Sequence, residues 1–143
     1  MPDRKTAEYL FTKLGLDAPV GLVPMTDAEY ERFCLEVQIR RKMGESDYNV
    51  KELLERYKSN GDKLKPLDEQ FYLLYYAIYA NKKENLSLEK ALELMEKALR
   101  LSLKDYAPNM DLKEHLLSET EIIALNNVAK VTYVIGEHEK AMT

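Results

Sequence analysis

Cysteine is almost absent from this chain: Cys34 stands alone among 143 residues. A lone thiol closes no internal disulfide, so packing must hold the fold, and a reducing, cytoplasmic setting is expected. Tryptophan is missing, and glycine and proline number five each. There is no low-complexity tract and no Gly/Ser linker. No apolar run approaches the roughly 20 residues needed to cross a bilayer. The charged start Met1-Pro2-Asp3-Arg4-Lys5 leads into no apolar region, so no secretion signal is expected. Basic charge is also short, with 21 Lys and Arg against 25 Asp and Glu, a net charge of −4. That argues against this segment gripping nucleic acid, because phosphate binding needs a basic face. No G-x-S-x-G, Walker loop or G-x-G-x-x-G occurs, and no enzyme is expected. His115 and His138 lack partners at metal-ligand spacing, so neither a metal nor a cofactor is expected. Cys34 falls on the apolar side of a helical pattern and reads as a structural thiol.

What is present is helical periodicity. Hydrophobic residues make up 45% and charged residues 32%, a composition typical of globular domains. Ala7, Leu10, Phe11 and Leu14 predict a first helix over 3–14, stopped by Gly15. Pro19, Gly21 and Pro24 make 16–25 a connector. Thr26-Asp27-Ala28-Glu29 is a capping box opening a second helix, with Phe33, Val37 and Ile39 on its apolar side and Gly44 as its stop. A third is expected over 47–58, with Leu53, Leu54 and Tyr57 apolar. Pro66 suits the first turn of a fourth, 67–80, which is apolar nearly all round and therefore central. Ser87 caps a fifth, to about Leu101. Pro108 marks another connector, with a short turn near 112–117. Ser118-Glu119-Thr120-Glu121 is a second capping box, opening a sixth helix that ends at Ile135 before Gly136. A seventh is expected to begin at Glu139-Lys140-Ala141 and to be cut off, so the chain reads as a piece of a longer protein.

These helices fall into pairs with tight internal turns, the pattern of a tetratricopeptide repeat (TPR). Ala91 and Ala98, seven apart, put two small residues on one helix face, where helices can approach closely. Ala129, Gly136 and Ala141 follow the repeat order of small residue, turn glycine and alanine. In the first pair Val50 stands where an alanine is expected. The fold class expected is all-α, a TPR-like superhelix of antiparallel helix pairs over 26–143, preceded by a segment 1–15 and the connector 16–25.

Three stretches carry a family likeness. They are Pro2-Asp3-Arg4-Lys5-Thr6 with Tyr9-Leu10 and Leu14-Gly15; Leu67-Asp68-Glu69-Gln70-Phe71; and Leu117-Ser118-Glu119-Thr120-Glu121-Ile122 with Leu125-Asn126-Asn127-Val128-Ala129. With these the chain resembles the C-terminal TPR domain of Rgg/PlcR/PrgX-type transcriptional regulators of Gram-positive bacteria. The resemblance implies a sensor domain that binds a short signalling peptide and forms a homodimer. Residues 1–15 would be the remnant of an upstream helix-turn-helix domain or a linker helix, and only the upstream domain would touch DNA. The alternative is a stand-alone TPR scaffold for a partner protein.

The resemblance places a peptide on the first helix of each pair. Asn126 and Asn127 are the leading candidates: asparagine is a poor mid-helix residue, and its amide can pair with a peptide backbone. Lys130, one turn beyond Asn126, could meet a peptide carboxylate. Gln38, Arg41, Tyr75 and Tyr79 are further candidates. Glu119 and Glu121 are accounted for as helix-start residues, by capping and the helix dipole.

Overall fold

The computed structural model describes residues 6, 9–10, 13, 26–45, 49–60, 64–108, 110–111 and 116–142. Ala7, Phe11, Leu14, the connector 16–25 and residues 112–115 of the turn expected near 112–117 lie outside them. Thr6, Tyr9, Leu10 and Lys13 are helical, as the first pattern predicts. The described chain is all-α, with five further helices and no strand: α1 Asp27–Gly44, α2 Lys51–Ser59, α3 Pro66–Lys83, α4 Leu88–Arg100 and α5 Glu119–Met142. Among the described residues no helix is long and apolar enough to cross a membrane.

Local chemistry sets most of the helix starts. Thr26 Oγ1 accepts from the Glu29 amide at 3.1 Å, and Glu29 Oε1 accepts from the Thr26 amide, which closes the expected capping box. Pro66 occupies the first turn of α3, where no amide partner is needed. Ser87 Oγ accepts from the Lys90 amide at 3.2 Å and starts α4. Ser118 and Glu121 form the second box: Ser118 Oγ accepts from the Glu121 amide at 3.2 Å, and Glu121 Oε1 accepts from the Ser118 amide at 2.8 Å. Asn85, in the tight α3–α4 turn, takes a φ of 57°, a left-handed conformation that asparagine tolerates better than most residues.

Three expectations are corrected. α2 begins at Lys51, not at 47: Asn49 is non-helical and Val50 is its N-cap residue, fully buried in the core. The inward stripe of α1 is Arg32, Leu35, Glu36 and Ile39, while Val37 is 46% exposed. The four buried positions fall at i, i+3, i+4 and i+7, but two carry charge and so hide the stripe from a purely apolar reading. Finally, α5 does not stop before Gly136 but runs on to Met142. An interior glycine costs a helix only about 1 kcal/mol relative to alanine. Gly136 takes no left-handed φ here and therefore does not cap.

Packing follows chain order. α3 lies against α4 over the longest interface, α4 against α5 over the next, and α1 packs on α2 and α2 on α3. α3 also touches α5 and is central, as its all-round apolar surface predicts. Ala91 and Ala98 are fully buried, the close approach their spacing calls for. Phe71 sits among Tyr57 and Tyr75, with ring centroids 5.2 and 4.5 Å away. Leu103 and Tyr106, in the connector after α4, also enter the core.

Candidate functional site

The charged residues of the α1 stripe are met from two other helices. Arg32 Nη1 pairs with Asp68 Oδ2 of α3 at 3.2 Å, and its Nη2 donates to the Asn60 carbonyl. The Tyr57 hydroxyl of α2 donates to Glu36 Oε2 at 3.0 Å and reaches Asp68 Oδ1 at 3.4 Å. Arg40 pairs with Glu36 at 3.2 Å and lies over the Phe71 ring. Burial, together with the Glu36 and Asp68 carboxylates, pushes the Tyr57 phenol far up, so it stays a proton donor. This cluster joins α1, α2 and α3.

A second buried network centres on Glu121, whose residue surface is wholly enclosed. Its Oε1 accepts from Lys13 Nζ at 2.7 Å and from the Ser118 amide at 2.8 Å. Its Oε2 accepts from Ser102 Oγ at 2.5 Å and from the Tyr9 hydroxyl at 3.2 Å. Gln70 of α3 donates to Ser102 Oγ at 2.6 Å and to the Ala98 carbonyl at 3.0 Å. From its sequence neighbours Glu121 reads as a capping residue alone. Its other partners are at least 19 residues away in the chain, and no local spacing announces them.

Burial pushes the Glu121 carboxyl up, but the Lys13, Ser102 and Ser118 donors outweigh it and hold it below its ordinary 4.5. Burial likewise pulls Lys13 down, and its bond and charge contact with Glu121 outweigh that, leaving it above 10.5. The carboxylate therefore stabilises the fold fully above pH 4.5, and this contribution is lost as pH falls through the lowered folded value. The lysine contribution is complete below pH 10.5 and is lost only as pH rises through its raised folded value. Urea unfolding carried from neutral pH down past 4.5 should show wild type losing stability more steeply than Glu121→Gln. Parallel pH profiles for the two proteins would contradict the network.

The candidate site is a groove of about 370 Å³ where the end of α3, α4 and the middle of α5 meet. Ile78, Met95, Val131 and Val134 give it apolar walls, and Asn81, Asn127, Lys82 and Lys130 add polar groups. Two of its amides are anchored from behind. Asn81 Nδ2 donates to the Leu86 carbonyl at 2.9 Å, and Asn127 Nδ2 donates to the Ile123 carbonyl one turn back at 2.8 Å. One amide hydrogen of each is so engaged, and each amide retains one further hydrogen and its oxygen for other partners. The exposed ring of Tyr133 stands at its edge.

Of the candidates read from sequence, Asn127 and Lys130 line this groove together. Asn126 is exposed on α5 and does not line it. Gln38 and Arg41 are exposed on α1, away from it. Tyr75 and Tyr79 belong to the core at 5% exposure each, with the Tyr79 hydroxyl donating to Glu84 at 3.0 Å. Asn81, Lys82 and Met95 carry no signal of their own in the sequence, because they reach the groove from the α3–α4 pair. Cys34 is a free, half-buried thiol. Among the described residues no group of three metal-ligating side chains gathers. No family model, curated protein or solved structure matches the chain.

Proposed function

We propose that this chain is a ligand-sensing domain of the TPR type that takes a short peptide into the α3–α4–α5 groove. Its parent would be a cytoplasmic, homodimeric helix-turn-helix transcription regulator whose DNA-binding part lies elsewhere. The observation that carries the reading is the groove itself. It combines apolar walls with two anchored side-chain amides and two lysines, in a chain of net negative charge. Backbone N–H groups suit the Asn81 and Asn127 oxygens, apolar side chains suit the walls, and a carboxylate suits Lys82 and Lys130. At about 370 Å³ the groove is near the lower end of small-ligand pockets, about 300–1,000 Å³. That size fits a few side chains and not a folded partner.

A second reading, a scaffold for a partner protein, draws on the exposed apolar side chains of α5, Ile122 at 45% and, at the groove edge, Tyr133 at 69%. One experiment separates the two. A pool of short apolar peptides is equilibrated with the protein, and the retained ones are identified by mass spectrometry and titrated by calorimetry. Asn127→Ala with Lys130→Met should weaken binding about tenfold or more, the equivalent of about 1.4 kcal/mol. Retention of no peptide, or unchanged affinity in the double variant, would remove the groove as a peptide site.

A further inference from the structure

We draw no further inference here: the strongest candidate, the side-chain pair Lys82 and Lys130 in the α3–α4–α5 groove as an anchor for a ligand carboxylate, belongs to the site already described.

Discussion

Glu121→Ala is expected to lower the free energy of unfolding by about 3–5 kcal/mol, the scale of breaking a buried charge pair from one side. The variant strips the acceptor from four donors at once: Lys13, Tyr9, Ser102 and the Ser118 amide. Ser102 is further engaged by Gln70, so the loss reaches α3. A domain of this kind has a total stability of about 5–15 kcal/mol, so the effect would consume a large share of it. Glu121→Gln, which keeps an oxygen for the Ser118 amide, should fall between wild type and alanine. Urea denaturation gives the measurement, with a lowered midpoint at constant slope. A loss near 1 kcal/mol for Glu121→Ala would match a helix cap alone and would show that the distant donors contribute nothing.

The helices are legible in the sequence wherever a local rule sets them. Thr26-Asp27-Ala28-Glu29, Pro66, Ser87 and Ser118-Glu119-Thr120-Glu121 mark starts that the structure keeps, because caps are made by residues within three positions of one another. The central place of α3 is legible from its apolar surface. Two kinds of feature are not. Gly136 looks like a stop, yet a glycine ends a helix only where the backbone turns left-handed, and at Gly136 the backbone stays helical. The buried face of α1 looks as if it runs through Val37, because Arg32 and Glu36 resemble solvated residues until Asp68 and Tyr57 arrive from other helices. The groove shows the same divide. Asn127 and Lys130 can be named from one helix, but Asn81, Lys82 and Met95 become their neighbours only when α3 and α4 close on α5.

The charged face of α1 leads to the second large effect. Arg32→Met is expected to destabilise the fold by about 3–5 kcal/mol, since it withdraws the guanidinium from a buried carboxylate. Asp68 and Glu36 share the Tyr57 phenol, and the side chains of Arg32 and Asp68 are 9% and 10% exposed. Without the guanidinium, the two carboxylates face each other across one hydroxyl in a medium that screens them poorly. Replacing both ends of the pair tests whether the cost belongs to the charge left behind or to the lost packing of the arginine. In Arg32→Met with Asp68→Leu no buried charge is stranded at that position, and apolar side chains of similar bulk often match or exceed a buried ion pair in stability. The double variant should therefore recover most of what Arg32→Met loses, giving a coupling energy of about 1–3 kcal/mol in a double-mutant cycle. Additive losses would mean that Arg32 acts independently of Asp68, as through its guanidinium lying over the Tyr57 ring at 5.6 Å.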